Sequence, residues 1–341
     1  MSKSEDTSLA VRFDDRLALD ALPWFEADND RIVLADKSIG PAIDMHTHYA
    51  LPAMWPHSFK LDAPSDDSHL LLGCCSNHNL DIYANQNFSK KELRSMKLDL
   101  VLGGITGRGS RKHHTAPNLA RDMTDIGVTH SSVLAIDISV PSKHVSQTIA
   151  TGVERSDVTV FGSVHPRSRK KKVKFEEQMH AGIRGLKLHP AIQSFHPNDK
   201  AARDLYKLAG EHNIPIIWHC GPVDIETKKA RMLSQVANYE AAIKDHPNTT
   251  FILGHSGAKQ CEEAVALQMR YANVYLEVSC ISLQQMEYVF HNGDSKRIMF
   301  GSDWPFYHPS LQMAKVLMLT EGNPALRKSV LYDNAARLLG L

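Results

Sequence analysis

From Asn118 onward the chain alternates between short apolar runs and longer stretches of helical period. The runs fall at residues 132–136, 158–162, 183–188, 214–218, 250–253, 274–278 and 297–300. An earlier one at 42–45 makes eight. Most are rich in β-branched residues, and a strand covered on both faces by crossover helices reads in this way. Helical stretches fill the gaps, among them 199–211, 228–244 and 259–269. Strand and helix repeated eight times predict an α/β fold, the (β/α)8 TIM barrel. The rival is an open doubly wound sheet. The barrel is favoured because polar residues punctuate the C-terminal end of run after run, and in a barrel those ends converge on one face.

The rest of the chain is less regular. Residues 1–10 read as a disordered tail. Residues 11–40 hold a short helical piece at 16–22 and a strand at 31–34. We therefore divide the chain into an N-terminal extension, 1–40, and a barrel domain, 41–341. Between the first strand and its helix lies a stretch from 49 to 116, with proline and serine clusters and a helical patch at 90–100. Insertions of this length are uncommon unless functional. It is expected to hang over the catalytic face as a lid and to shape specificity through His57, His69, His78, His113 or His114. The glycine run from Gly103 to Gly109 reads as a flexible loop, since no strand feeds it and no helix start follows. A final helix at 324–339 is expected to close the outside of the barrel, with Gly340 where it stops.

Composition narrows the function. A net charge of +1 and a pI near 7.8 give no electrostatic case for a nucleic-acid or membrane partner. No apolar stretch is long enough to span a bilayer, and the polar N-terminus lacks a signal-peptide core, so a cytoplasmic location is expected. Five cysteines without a C-x-x-C make neither a disulfide framework nor, at Cys74-Cys75, a zinc pair. Histidine is the outlier, with 19 residues.

Six of those histidines fall at strand ends. His46-Thr47-His48 closes the first run, and residues i and i+2 of a strand leave on the same side. Two neutral imidazoles side by side are half a site for a transition metal. The later tips carry Asp137, His165, Lys187 with His189, His219, His255, Glu277 with Ser279, and Asp303 with Trp304. Seven of the eight tips thus offer a His, a Lys or an Asp. It is the coincidence of position that points to a metal centre.

The motifs Ile43-Asp44-Met45-His46-Thr47-His48, Gly185-Leu186-Lys187-Leu188-His189-Pro190, Gly254-His255-Ser256-Gly257 and Gly301-Ser302-Asp303-Trp304-Pro305 resemble the amidohydrolase superfamily. They are closest to its amidohydrolase-related branch of hydrolases and nonoxidative decarboxylases. The resemblance implies a first metal site of His46, His48, His219 and Asp303, with His255 and Asp303 catalytic. It implies a divalent ion, zinc first and manganese as the alternative. One ion is favoured over two; a second would need a carboxylated Lys187 and His255. A small-molecule substrate follows, and a homodimer is suggested.

The expected reaction is hydrolysis of an amide, lactone or ester by metal-activated water. The alternative is release of CO2 from an unsaturated or aromatic acid, which needs a cation for the substrate carboxylate: Arg108, Arg111, Arg167 or Arg184. A non-enzymatic scaffold is disfavoured, because it has no need of His255. His189 and Trp304 are candidate substrate contacts, although His189 also suits a local structural role and Trp304 also suits packing. His165 and Glu277 read as structural, Glu277 facing outward. Asp44 is placed beneath the metal as an orienting group. Lys170-Lys171-Lys172 with Lys174 is a solvated helix face.

Overall fold

The structure is a computed structural model that describes residues 11–341. The tail expected over 1–10 lies outside these residues. Eight parallel strands form one sheet: β1 Ala42–Thr47, β2 Val128–Leu134, β3 Val158–Gly162, β4 Gly185–Leu188, β5 Ile216–His219, β6 Phe251–Gly254, β7 Val274–Glu277 and β8 Ile298–Met299. Each pairs with its sequence neighbour, so the order runs without a switch from β1 to β8. Met45 N donates to Phe300 O at 3.0 Å and His48 N to Trp304 O at 2.7 Å. These bonds bring β1 against the chain leaving β8 and make the sheet the expected TIM barrel.

An apolar layer joins six of the strands. Ile43, Met45, Leu134, Phe161, Ile217, Ile252 and Met299 are all fully buried, and they cluster with Ala335 and Ala336 of the last helix. Each such side chain contributes about 1.5–3 kcal/mol by leaving water. The period of two then places chemistry directly above this layer on β5, where His219 follows Ile217 by two residues.

The helices depart from expectation where special backbone intervenes. The stretch 228–244 breaks into Lys228–Leu233, Val236–Asn238 and Glu240–Asp245. The break is useful, since Ser234 O accepts from Gly221 N at 2.8 Å, just past His219. The helix expected from 259 begins at Cys261, because Ser256, Gly257 and Ala258 all have positive φ. The final helix runs as Pro324–Lys328, a π turn Ser329–Asp333 and Asn334–Leu339, with Gly340 left-handed at φ 71°.

The glycine run is not a loop. Helix α1, Lys90–Thr106, continues through Gly103 and Gly104 and ends at Gly107, left-handed at φ 66°. Helix α2, Ala116–Asp125, is the first barrel helix, so residues 48–115 separate it from β1. Side chains of α2 fasten that segment. Asn118 Nδ2 donates to Ser65 Oγ and to His113 O, both at 2.7 Å. Arg121 reaches Ser65 O at 2.8 Å and Ser68 Oγ at 2.7 Å. Arg12–Phe13 of the extension pairs with His78–Asn79 of that segment, and within the extension Phe25–Asp28 pairs with Arg31–Leu34.

Candidate metal centre and its cavity

The first strand turns both of its tip histidines toward Asp303. His46 Nε2 and His48 Nε2 each lie 3.6 Å from Asp303 Oδ1. The other ring nitrogens are held. His46 Nδ1 donates to Glu277 Oε2 at 2.7 Å, and His48 Nδ1 to the carbonyl of Leu134 at 2.8 Å. A carbonyl only accepts, so His48 carries its proton on Nδ1 and presents a lone pair at Nε2. Burial, and then the neighbouring Lys187, hold His46 well below the ordinary histidine range, so it too is neutral. Imidazoles locked through Nδ1 by a carboxylate or carbonyl, with Nε2 free, are the arrangement of metal ligands. Lys187 donates from Nζ to His46 Nε2 at 3.0 Å, placing the protein's own cation against that lone pair. Two nitrogens and a carboxylate oxygen suit a divalent ion of the zinc or manganese kind.

Glu277 corrects the sequence reading. It is fully buried and faces inward. Four donors converge on it: His46 Nδ1, His255 N at 3.2 Å, Ser279 Oγ at 2.9 Å and Ser279 N. Burial raises its carboxyl to about 8 against those donors. Gly301 makes room, since a Cβ there would fall 2.1 Å from Glu277 Oε1. A carboxylate in an otherwise apolar, doubly covered strand was the signal that could have found it.

The remaining candidates divide. His219 lines the cavity but stands outside the trio of His46, His48 and Asp303. Its ring stacks on His189 at 4.0 Å, and its Nδ1 faces His255 Nε2 at 3.1 Å. His255 Nδ1 lies 2.7 Å from Ser279 Oγ. Ser279 has one hydroxyl proton, and it goes to Glu277 Oε2 at 2.9 Å. His255 Nδ1 therefore donates, His255 Nε2 accepts from His219, and His219 Nε2 is left as a lone pair. Burial lowers Lys187 to about 8 and His219 to about 3. Asp44 does not reach an imidazole: its Oδ1 accepts from His46 N and Ser302 N, both at 3.0 Å, and ties β1 to the chain after β8. Trp304 does not line the cavity. Its buried indole donates from Nε1 to Asp122 Oδ2 at 2.8 Å, which pins α2 to the barrel. His165 is structural, bonded to Ser139 Oγ at 3.0 Å.

A cavity of about 470 Å³ opens above these groups. Its walls are mostly apolar and include Ile136, Ile138, Ile192, Val223, Phe306 and Tyr307. The insertion supplies Leu51, Pro52, Tyr83, Asn85, Leu100 and Arg111. None of the five lid histidines lines it; His114, for example, is turned to His69 O and packs edge-on against Trp304. Cys280 does line it, and its Sγ lies 3.4 Å from Asp303 Oδ2.

Of the four arginines considered, only Arg111 lines the cavity. It is 4% exposed, donates to the carbonyls of Leu51, Pro52 and Leu100, and leaves Nε unpaired. No carboxylate is in ion-pair contact with it among the described residues, and Asp99 favours its charge only from a distance. The two helical glycines explain how it fits: a Cβ on Gly103 would lie 3.2 Å from Arg111 Nε, and one on Gly104 3.4 Å from Nη1.

A (β/α)8 barrel with histidines and an aspartate gathered at its strand tips defines a metal-dependent barrel enzyme. The chain belongs to the amidohydrolase family, whose profile matches residues 43–341. No curated protein matches the sequence. Among solved structures, the barrel is similar to an uncharacterised TIM-barrel protein of Bordetella bronchiseptica, with 20% identity and TM-score 0.59 over 68% of this chain and 84% of that one. It is similar to 2,6-dihydroxybenzoate decarboxylase from Rhizobium, with 14% identity and TM-score 0.56 over 88% and 99%. A Pseudomonas putida protein assigned by name only as a 2-pyrone-4,6-dicarboxylic acid hydrolase matches with 16% identity and TM-score 0.56 over 88% and 97%. At these identities the likeness is one of fold.

Proposed function

We propose that the protein is a metal-dependent hydrolase that cleaves an ester, lactone or amide of a small carboxylic acid. The observation that carries this reading is Asp303, which faces two locked imidazoles with one oxygen and lines an apolar cavity. His46, His48 and Asp303 would hold one divalent ion, zinc or manganese, and the free Nε2 of His219 would complete the set. When bound, the ion supplies Lewis acidity, which acidifies water and polarises a carbonyl. Asp303 takes the proton from the attacking water and returns it to the leaving group. Neutral His255 carries its proton on Nδ1, fixed at Ser279, so its Nε2 is a base that would accept a hydrogen bond from the attacking water and orient it for Asp303. Arg111, buried without an acid of its own, receives the substrate carboxylate, and the apolar walls exclude water from the rest.

A second reading is a nonoxidative decarboxylase. Arg111 also suits that chemistry, and the Rhizobium protein to which the barrel is similar carries such a name. The two separate on their products: hydrolysis takes one oxygen from labelled water into the product acid, whereas decarboxylation releases CO2. The enzyme should be assayed for both on carboxylated aryl esters, lactones and unsaturated acids. Ions per chain are counted by plasma mass spectrometry. His255→Asn should keep one ion per chain and lose about 10²–10⁴-fold in turnover. Loss of the ion along with turnover would make His255 a ligand and a two-ion centre the better description.

A further inference from the structure

The outer face of α1 is unlike the rest of the surface. Leu98, Val101, Leu102 and Ile105 follow at i, i+3, i+4 and i+7, so they share one face. Their exposure runs from 53% to 60%, where a surface helix ordinarily shows polar side chains. The turn at 54–55 extends the patch. Met54 N donates to Gly104 O at 2.7 Å, and Trp55 is 64% exposed. The N-terminal half of the helix exposes Lys90, Lys91, Arg94 and Lys97. Its two acids are turned away: Glu92 accepts from Ser89 N at 2.8 Å and Asp99 from Ser110 Oγ at 2.6 Å. The exposed charged residues of α1 are thus all basic, and an exposed apolar stretch with a tryptophan alongside follows them.

A second copy of the chain would bring the same four cations to the contact. An anionic lipid surface satisfies both halves. Cations near the headgroups are attracted, while aliphatic side chains and a tryptophan settle at the acyl boundary. We propose that α1 and the turn at 54–55 dock the protein on an anionic bilayer. Leu100, on the same helix, lines the cavity, so docking sets the mouth beside the lipid and suits a substrate with an apolar body. The net charge of +1 hides this face because the balancing acids lie elsewhere.

The test is sedimentation of the full chain with vesicles of phosphatidylcholine alone and of phosphatidylcholine with phosphatidylglycerol. It does not depend on which reaction the cavity runs. The protein should sediment with the mixed vesicles, leave them as salt is raised, and stay free of the zwitterionic ones. Trp24, Trp218 and Trp304 are buried, so brominated acyl chains should quench Trp55 alone. Lys90→Gln with Arg94→Gln should lower partitioning about thirty-fold, and Leu98→Ser with Leu102→Ser at least about tenfold. All four positions are exposed, and an unchanged unfolding midpoint checks that the variants fold. Failure to sediment with either vesicle overturns the proposal, as does equal binding to both. A leucine variant that turns a dimer into a monomer by light scattering, without any vesicle binding, gives the face to a second copy instead.

Discussion

The barrel tips and the segment from 48 to 115 meet at one cavity but are held by different means. At the tips, backbone bonding sets the strand histidines: His219 stands on a strand paired with both neighbours, and His46 on one paired with β2 and bonded on its other side to the chain leaving β8. The segment has one two-residue strand, and isolated backbone bonds such as Leu71 N to Pro305 O and Ala84 N to Cys280 O hold it together with side chains reaching from Asn118 and Arg121 to its backbone and hydroxyls. Parallel pairing fixes geometry for chemistry, whereas side-chain ties fix a wall that can be rebuilt around another substrate. Turnover should therefore answer to the barrel and substrate affinity to the insertion.

Glu277→Gln tests the barrel side most strongly. It replaces the acceptor of His46 Nδ1 and should weaken ion affinity about 10–100-fold, read by competition with a chelator. Unchanged affinity would mean that His46 does not need its carboxylate. Arg111→Lys tests the insertion. A point charge cannot span three carbonyls and a carboxylate, and KM should rise about tenfold or more with kcat nearly constant. If kcat falls instead and KM holds, the division between the regions fails.

The smallest effect on activity comes from Lys315, buried in the helix Pro309–Leu319 that backs the β7 loop. Its Nζ donates to Ile281 O at 2.7 Å, and burial lowers it to about 7. Between about 7 and the ordinary lysine value, the unfolded chain binds the extra proton and the folded one does not, so stability rises with pH across that window. From pH 7 to 9 the gain is on the order of 2 kcal/mol. Lys315→Met should flatten it in denaturant titrations at the two pH values while leaving turnover alone.

The sequence made the barrel legible because eight buried strands leave continuous apolar runs, and their ends announce themselves by polar punctuation. The candidate trio His46, His48 and Asp303 was picked out by period two on β1 and by the resemblance at Asp303. What remained hidden depends on contacts across the chain. Glu277 is fixed by its distance to His46, more than two hundred positions away in sequence. Arg111 was one arginine among four until two helical glycines were found beneath it. Those glycines misled as a loop signal because the helix tolerates them in order to seat the guanidinium. Trp304 follows Asp303 in sequence, yet its buried indole turns to Asp122.

That Trp304–Asp122 bond has an evolutionary reading. It joins the chain after β8 to α2, and α2 in turn grips the insertion through Asn118 and Arg121. The segment is thus fastened at its root, on the barrel's first helix, and again where Leu71 N and Leu72 N donate to Pro305 O and Phe306 O, both at 3.0 Å, just past Asp303. Mutations along its length can accumulate, lengthen it or change its lining while His46, His48 and Asp303 keep their spacing. Selection for a new substrate and selection for intact chemistry then act on separate stretches of one gene.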